Sequence, residues 1–421
     1  MKMNNRRGVV TGLGVLSPIG NDVATFWDNL KKGVCGIDYI TEFPTDELPV
    51  KITGKVRDFR PEEFGMDKPF IRKQDKFSVY AVAAAWQAVT DSGLVATGDD
   101  KNIDPFRYGV YFSSGVGGFE TICKEVSKFN EEPSGKWVSP LFIPTMIENM
   151  AAGNIAIKFG AEGSCISIVT ACATSTHSIG EAYRAIRHGY LDAIIAGGCD
   201  DAAVPLGIAG FANARALTRD EDPKTACRPF SADRGGFVMA EGAGALILEE
   251  YEHAVNRGAH IYAEVVGYGS TCDAYHATAP RPDGTTQARC ISLALEEAGY
   301  NADSDRVYIN AHGTGTHLND STETKAFKIA FGEENARKCH ISSTKSMHGH
   351  MFGGTGAAEA IATIFALNEG VIPPTINLRE PDPECDLDYT PHKAVNAEVD
   401  LGLSDSFGFG GHNACIAFRK V

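Results

Sequence analysis

The order of strands, loops and helices in the first half of this chain recurs in the second half. This repetition limits the possible folds more than any single motif does. The matching segments are 9–14 with 265–269, 108–112 with 307–311, and 165–170 with 341–345. Because strands alternate with helices in both halves, each half is predicted to hold a largely parallel sheet. In such sheets, ligands bind beyond the carboxyl ends of the strands.

A connector separates the two predicted halves. Residues 249–258 are rich in charged and helix-forming side chains, and they end at Gly258. A glycine that follows such a stretch is typical of a helix C-terminus. The sequence therefore predicts a helical connector and divides the chain into residues 1–258 and 259–421.

Cys172 lies where a predicted strand turns into a helix. The apolar, β-branched segment 165–170 precedes it, and apolar residues at helical spacing follow it until Gly189. A thiol at a helix N-terminus is exposed to the positive end of the helix dipole, which favours the thiolate. A sharp turn from strand to helix also presents a nucleophile to substrate, as serine is presented in the nucleophile elbow. Cys172 is therefore the candidate nucleophile.

Composition excludes several classes of protein. The chain has 421 residues, 43% of them hydrophobic, and a net charge of −15, which disfavours binding to nucleic acid or to an anionic membrane surface. Its 11 cysteines include no Cys-x-x-Cys pair, which favours a reducing cytoplasm over a disulfide framework. No stretch approaches the roughly 20 apolar residues that span a bilayer. The composition indicates a cytoplasmic α/β enzyme.

Four loops carry the chemically reactive residues, and all of them follow predicted strands. They are 170–175 with Cys172, 310–316 with His312, 345–350 with Lys345 and His350, and the glycine-rich segment 406–413. A cysteine near two histidines and a lysine provides a nucleophile together with donors for a developing negative charge.

These motifs resemble those of the β-ketoacyl-acyl carrier protein synthases, most closely the elongating enzymes of type II fatty-acid synthesis. The matching motifs are Thr-Ala-Cys at 170–172, Ala-His-Gly-Thr at 311–314, Lys-Ser-x-x-Gly-His at 345–350, Gly-Phe-Gly-Gly at 408–411, and the N-terminal run 10–20. They occur in the same order and extend over essentially the whole chain. The resemblance implies the thiolase fold, an α/β architecture of two similar halves. Each half has a five-stranded mixed sheet, and the layers are arranged α-β-α-β-α.

The resemblance also implies an acyltransferase that condenses an acyl group with malonyl-acyl carrier protein, releasing CO2. Cys172 would hold the acyl group as a thioester, and His312 and His350 would stabilise the enolate formed by decarboxylation. Lys345 would order the site and pair with Glu359. No cofactor or metal of its own is expected, because phosphopantetheine arrives on the carrier protein.

Further roles follow from the same resemblance. The backbone of Phe407 would complete the oxyanion hole with that of Cys172, and its ring would gate the acyl pocket. Thr314 and Thr316 would bind pantetheine. Val116 and Phe211 would line the acyl pocket, which in this family reaches the interface of a homodimer. The residues expected to dock acyl carrier protein are Lys68, Arg72, Lys73 and Arg215.

Four alternatives remain at this stage. A metal-dependent hydrolase could use His312, His317, His348, His350 and Asp320 as ligands. A non-catalytic subunit of the same fold would lack the nucleophile, and a thiolase would use a second cysteine as its base. A ketosynthase of a polyketide-like pathway would share the mechanism and is the main alternative.

Overall fold

The computed structural model describes residues 6–421, so residues 1–5 of the predicted first half lie outside the described residues. Fourteen strands are present in this part of the chain. They are β1 (Gly8–Leu16), β2 (Ile37–Tyr39), β3 (Ile52–Gly54), β4 (Tyr108–Ser114), β5 (Cys165–Ile166), β6 (Ala193–Asp200), β7 (Gly242–Glu250), β8 (Ala263–Cys272), β9 (Val307–Asn310), β10 (His340–Ser342), β11 (Val371–Ile372), β12 (Val395–Asn396), β13 (Leu401–Gly408) and β14 (His412–Arg419).

The same residues form fourteen α-helices. They are α1 (Val23–Lys32), α2 (Lys68–Ile71), α3 (Lys76–Ser92), α4 (Phe119–Glu131), α5 (Phe142–Met146), α6 (Met150–Phe159), α7 (Thr174–Arg187), α8 (Pro205–Asn213), α9 (Tyr251–Asn256), α10 (Thr285–Glu297), α11 (His317–Phe331), α12 (Glu333–Ala336), α13 (Lys345–His348) and α14 (Thr355–Glu369). Short 3-10 helices cover Pro61–Phe64, Pro105–Arg107, Ala171–Ala173 and Phe352–Gly354.

The repeat in the sequence corresponds to a repeat in sheet topology. One half orders its strands β5-β4-β6-β7-β1, and the other orders them β10-β9-β13-β14-β8. Equivalent neighbours run in the same sense, with two parallel and two antiparallel pairs in each half. The sheets are therefore mixed, as the family resemblance implies. The largely parallel sheets predicted from the alternation of strands and helices alone are wrong. The last strand of each half folds back antiparallel to both of its neighbours.

The two five-stranded sheets join along β1 and β8. Gly8, Val9 and Val10 pair antiparallel with residues 263–265, which makes a continuous ten-stranded sheet. The stretch 249–258, predicted as a helical connector, contains the end of β7 and the short helix α9. Among residues 6–421, no helix has the length and apolar character needed to cross a membrane.

Helices α7 and α14 lie between the two sheets. Helix α14 contacts β7 of one half and β13 of the other, and it also contacts α7. Nearly all of its side chains are buried, which fits a helix that is apolar on every face. Helices α3 and α6 cover the outer face of the first sheet, and α10 covers that of the second and contacts α11. This gives the predicted α-β-α-β-α layering, and the two central helices begin beside the candidate site.

Candidate active site

Cys172 lies in a tight turn at the N-terminus of α7. Strand β5 covers only Cys165–Ile166, so the strand predicted over 165–170 is shorter than expected. The 3-10 helix Ala171–Ala173 follows, and Ala171 has φ of 52°, a left-handed conformation that is costly for a residue with a side chain. The turn therefore has the strained geometry expected of a nucleophile elbow, and Cys172 itself is buried.

His350 is the nearest side-chain partner of the nucleophile. Its Nε2 lies 3.0 Å from Cys172 Sγ, and its Nδ1 lies 3.1 Å from Thr355 Oγ1. Its backbone is fixed on both sides, because its N–H donates to Val238 O and its carbonyl accepts from Ala240 N, each over 2.8 Å. The Thr355 hydroxyl can donate to Nδ1 or accept from it, so it supports either tautomer of the ring.

His312 reaches the site from the end of β9. Its ring centroid lies 5.6 Å from that of His350, and the two planes meet at 83°. Its backbone N–H donates to Asp405 Oδ1 over 2.7 Å, which fixes the loop, while its Nδ1 is buried without a hydrogen-bond partner. One donor atom from each of Cys172, His312 and His350 lies within 4.8 Å of the others. A substrate oxygen between the rings can therefore reach both histidines.

Burial keeps the site uncharged. It raises the pKa of the Cys172 thiol to about 12, and Lys345 lowers that pKa by a smaller amount. Burial, with the positive charge of Lys345, also holds the pKa values of His312 and His350 well below their usual range. The resting site is therefore a neutral thiol beside neutral imidazoles, and the thiolate favoured by the helix dipole does not predominate.

Lys345 forms an ion pair behind the histidines. Its Nζ lies 2.6 Å from Glu359 Oε1, and both side chains are fully buried. Burial raises the pKa of Glu359 to about 7, while the charge of Lys345 acts in the opposite direction. The predicted pairing of these two residues is present. Lys345 acts on the histidines by its charge and on Glu359 by a direct contact.

A cavity leads from the protein surface to Cys172. It is lined by the two histidines, by the two threonines predicted to bind pantetheine, and by aromatic rings. These residues are His312, His350, Thr314, Thr316, Phe237, Phe407 and Phe409. Thr314 Oγ1 lies 3.0 Å from Thr316 Oγ1. Thr278, Ala279 and Pro280 also line this cavity. The two threonines thus line the same cavity as Cys172.

The prediction for Phe407 requires a correction. Phe407 is a buried residue of β13, and its ring centroid lies 5.9 Å from that of His312. The neighbouring backbone hydrogen bond that lowers the pKa of Cys172 comes from Phe409, two residues further along. Phe409 is also less buried and follows the end of the strand. The backbone of Phe409 therefore lies beside the thiol, which favours Phe409 over Phe407 as the second oxyanion-hole donor, and the gating role stays a prediction.

Aromatic rings pack around His350. Phe352 is stacked with His350 at a centroid distance of 5.1 Å, and Phe211 lies 5.0 Å from Phe352. Val116 packs against the same hydrophobic cluster as Phe211. The structure therefore brings both predicted acyl-pocket residues together near the catalytic centre.

The predicted docking residues are exposed. Lys68, Arg72 and Lys73 lie on or just after α2, and none has an ion-pair partner among the described residues. The fourth, Arg215, lines a second cavity that shares Thr316 and Phe409 with the one leading to Cys172. These cations are thus free to meet an acidic partner.

The residues of the metal-hydrolase alternative do not converge. His348 is buried, with Nδ1 2.7 Å from Gly349 O and Nε2 3.1 Å from Thr344 Oγ1. Asp320 pairs with Arg234 and accepts the backbone N–H of Phe230. Only His312 and His350 of that set face Cys172.

Sequence reasoning missed several residues that shape the site. Asp405 holds the His312 backbone, Thr355 contacts His350, and Phe237 and Phe352 flank the His350 ring. An aspartate in the middle of a predicted strand is a signal that could have identified Asp405, because a buried acidic group needs partners. The aromatic residues carry no such signal, since a phenylalanine in the core looks the same in sequence.

Two family descriptions match the chain. "Beta-ketoacyl synthase, N-terminal domain" matches residues 5–254, and "Beta-ketoacyl synthase, C-terminal domain" matches residues 262–379. A protein of Staphylococcus aureus (strain N315) named 3-oxoacyl-[acyl-carrier-protein] synthase 2 is 46% identical over 416 residues, covering 99% of each chain. A protein of the same name from Synechocystis sp. is 47% identical over 419 residues, again covering 99% of each chain.

Solved structures are similar over the same length. One is a type II polyketide synthase acyl-carrier protein in complex with its ketosynthase bound to the hexaketide; it has a TM-score of 0.91 at 35% identity and covers 99% of this chain and 100% of that chain. Another is a beta-ketoacyl synthase from Burkholderia phymatum, with a TM-score of 0.89 at 34% identity and the same coverage.

Proposed function

Because this chain belongs to the β-ketoacyl synthase family, we propose that it elongates fatty acids. It condenses an acyl group held on Cys172 with malonyl-acyl carrier protein, giving 3-oxoacyl-acyl carrier protein and CO2. The single observation that carries this proposal is the convergence of Cys172, His312 and His350, whose donor atoms lie within 4.8 Å of one another at the end of a cavity.

Acyl transfer to the enzyme comes first. The Cys172 thiol gives its proton to His350 Nε2, 3.0 Å away, as the sulfur attacks the acyl thioester carbonyl. The backbone N–H groups of Cys172 and Phe409 stabilise the oxyanion of the tetrahedral intermediate. The carbon–sulfur bond to pantetheine then breaks, and His350 returns the proton to the leaving carrier thiolate.

Decarboxylation of the malonyl group follows. The bond to the carboxylate breaks, CO2 leaves, and the electron pair forms an enolate whose oxygen lies between His312 and His350. Neutral rings suit this role, because an imidazole N–H can donate to the oxygen without the ring first binding a proton. For His350 this requires the tautomer with hydrogen on Nε2, in which Nδ1 accepts from the Thr355 hydroxyl; the ring changes to this tautomer after acyl transfer, with no net gain or loss of a proton. The low pKa values of both rings support this protonation state.

Condensation completes the cycle. The enolate carbon attacks the acyl-Cys172 carbonyl, the same two backbone donors hold the new oxyanion, and the carbon–sulfur bond to Cys172 breaks. The released Cys172 thiolate takes up one proton from solvent, which is the net proton uptake of the reaction. The raised pKa of this thiol favours that protonation and restores the resting site.

The proposed partner is acyl carrier protein, in its acyl and malonyl forms. One support is the related ketosynthase that was solved in complex with an acyl-carrier protein. The other is the set of unpaired cations on and after α2, together with Arg215 in the second cavity. Thr314 and Thr316 would bind the pantetheine arm, and no cofactor of the enzyme's own takes part in these steps.

The proposed assembly is a cytoplasmic homodimer formed at the edge strand β5. Ile166 on that strand is 43% exposed, Val169 after it is 45% exposed, and Ile157 on the adjoining α6 is 79% exposed. An open strand edge beside apolar side chains is suited to pairing with a second copy of the chain. All eleven cysteines are free thiols, which supports a reducing compartment.

A condensation assay tests the proposal. Purified protein is mixed with acyl-carrier and malonyl-carrier substrates, and the products are identified by mass. Fatty-acid elongation predicts one round of condensation on a saturated acyl primer. Repeated extension of the 3-oxoacyl product without any reductase would instead favour the polyketide-type alternative, and absence of any product would contradict both.

A further inference from the structure

Asp200 holds two separate turns beside the active site. It ends β6 and is fully buried. Its Oδ2 accepts the backbone N–H of Gly115 over 3.0 Å and that of Gly353 over 2.6 Å. Its Oδ1 accepts the backbone N–H of Val116 over 3.1 Å and the hydroxyl of Ser114. One carboxylate therefore joins the turn after β4 to the turn before α14.

The contact between Asp200 and Gly353 can be compared with its counterpart in the other half of the internal repeat. Gly353 is the middle residue of the 3-10 helix before α14, as Cys172 is of the 3-10 helix before α7. Asp200 ends β6 at its pairing with Gly242, and Gly408 ends β13 at its pairing with His412. Asp200 and Gly408 are thus equivalent in the two halves.

This equivalence gives the two turns opposite properties. A Cβ added at Gly408 would lie 3.2 Å from the Cys172 backbone nitrogen, so the missing side chain leaves that N–H open to substrate. In the other half, the Asp200 carboxylate occupies the corresponding position and takes the Gly353 N–H. The backbone N–H at the Cys172 turn is therefore free to bind a substrate oxyanion, whereas the N–H at the equivalent Gly353 turn is already bound to the Asp200 carboxylate.

The two turns joined by Asp200 carry Val116 and Phe352, which belong to the same hydrophobic cluster as Phe211 and which we take as two walls of the proposed acyl pocket. The turn after β4 carries Val116. The turn before α14 carries Phe352, which is stacked with His350 and lies 5.0 Å from Phe211. We propose that Asp200 is a positioning residue that fixes the separation of these two walls, and thereby the acyl lengths that Cys172 accepts. This inference rests on the proposed function.

A carboxylate suits this task better than an amide. Four donors converge on its two oxygens, and an asparagine offers only one acceptor oxygen. The amide NH2 of Asp200→Asn would face at least one backbone N–H. Burial raises the pKa of Asp200 to about 6, and the four donors act against that rise, so the carboxylate predominates at pH 8.

The test compares Cys172 alkylation by iodoacetamide and by N-decyl iodoacetamide, followed by peptide mass mapping. Both reagents need the thiol, but only the second needs the acyl pocket. In Asp200→Asn, the rate with the long reagent should fall about tenfold relative to the short one, as expected for loss of one hydrogen bond to a charged group. Asp200→Glu keeps both acceptor oxygens, so its ratio should lie nearer to wild type.

Two further variants serve as control and safeguard. Asp201→Asn alters the neighbouring buried aspartate, which faces Lys55 and Lys76 instead of the two turns. The alkylation rates with the two reagents should therefore keep their wild-type ratio. Ser114→Ala removes the hydroxyl that donates to Asp200 and that accepts the backbone N–H groups of Val116 and Gly117, so it loosens the same turn and should shift the ratio in the same direction. It keeps the test available if Asp200→Asn does not fold.

Condensation with acetyl and decanoyl primers gives the second measurement. The inference predicts a selective loss of kcat/KM with the decanoyl primer in Asp200→Asn. If Asp200→Asn lowers the alkylation rate equally with both reagents and lowers kcat/KM equally with both primers, the inference is overturned. A general structural role of Asp200 predicts that result. If the wild type fails to condense at all, the proposed function fails, yet the alkylation ratio still tests the role of Asp200.

Discussion

The Cys172 sulfur lies 3.0 Å from His350 Nε2, and both groups are held neutral by burial. This pair comes from two turns that are 178 residues apart in the chain, at equivalent ends of its two halves. The thiol and its base can therefore exchange a proton directly, without a permanent ion pair.

Variants of the nucleophile and of the enolate-binding histidines should affect condensation and decarboxylation differently. Cys172→Ala should abolish condensation but retain malonyl decarboxylation, because His312 and His350 remain. His312→Ala should slow decarboxylation by the loss of about 2.7–4 kcal/mol of transition-state stabilisation, as for other oxyanion donors. Release of CO2 and formation of 3-oxoacyl product are measured in parallel. Condensation by Cys172→Ala at the wild-type rate would refute the nucleophile assignment.

The raised pKa of Cys172 predicts an unusual pH dependence of alkylation. Because the thiolate is the reactive form and the pKa is about 12, the rate with iodoacetamide should keep rising between pH 7 and pH 9. Below the pKa, the thiolate fraction grows about tenfold per pH unit. Free cysteine under the same conditions serves as the control and levels off near its own pKa. A plateau for Cys172 below pH 8 would contradict the neutral pair.

Breaking the ion pair behind the histidines should cost stability. Lys345→Met leaves Glu359 buried without its cation, and the expected loss at pH 8 is about 3–5 kcal/mol in the free energy of unfolding. The folded-state pKa of Glu359, about 7, lies above its ordinary value of 4.5, so stability falls as pH rises through this interval. Without Lys345 this pKa rises further, and the loss should extend to higher pH.

Urea unfolding at pH 6 and pH 8.5 measures this effect. The double variant Lys345→Met/Glu359→Gln removes the unpaired carboxylate as well and should recover much of the lost stability. Its unfolding should also depend less on pH than that of the single variant. A single variant as stable as wild type at pH 8.5 would show that the pair contributes nothing.

Charge reversal at α2 should weaken carrier docking specifically. Arg72→Glu/Lys73→Glu should raise the KM for carrier-bound acyl substrate and reduce its dependence on salt, because exposed charges are screened over about 8–10 Å. Turnover of a small pantetheine-linked substrate should be nearly unchanged. The matched control is Lys101→Glu/Lys420→Glu, which reverses two exposed lysines near the start of β4 and the end of β14. Equal effects of both double variants would exclude a specific docking surface.

Much of the fold could be predicted from the sequence, because both halves show the same order of apolar strand segments and helical segments. The counterparts of segments 9–14, 108–112 and 165–170 occupy equivalent strands. The antiparallel strands β7 and β14 were not predicted as such. Strand direction depends on long-range pairing, which leaves little trace in the local alternation of apolar residues.

The parts of the site that consist of sequence motifs could be predicted. The parts that depend on side-chain packing could not. The motifs around Cys172, His312, Lys345 and His350 identified residues that lie together in the structure. The neutral state of Cys172 was not predictable, because the helix dipole is visible in sequence whereas the extent of burial is not. The correction from Phe407 to Phe409 has a similar cause, since the end of β13 decides which of two nearby phenylalanines faces the thiol.

Trapping the acyl-enzyme tests the central claim most directly. Incubation with acyl-carrier alone, followed by peptide mass mapping, should place one acyl group on Cys172 and on no other cysteine. Addition of malonyl-carrier should then discharge that group as 3-oxoacyl-carrier with release of CO2. An acyl group on another residue, or one on Cys172 that malonyl-carrier fails to discharge, would contradict this account.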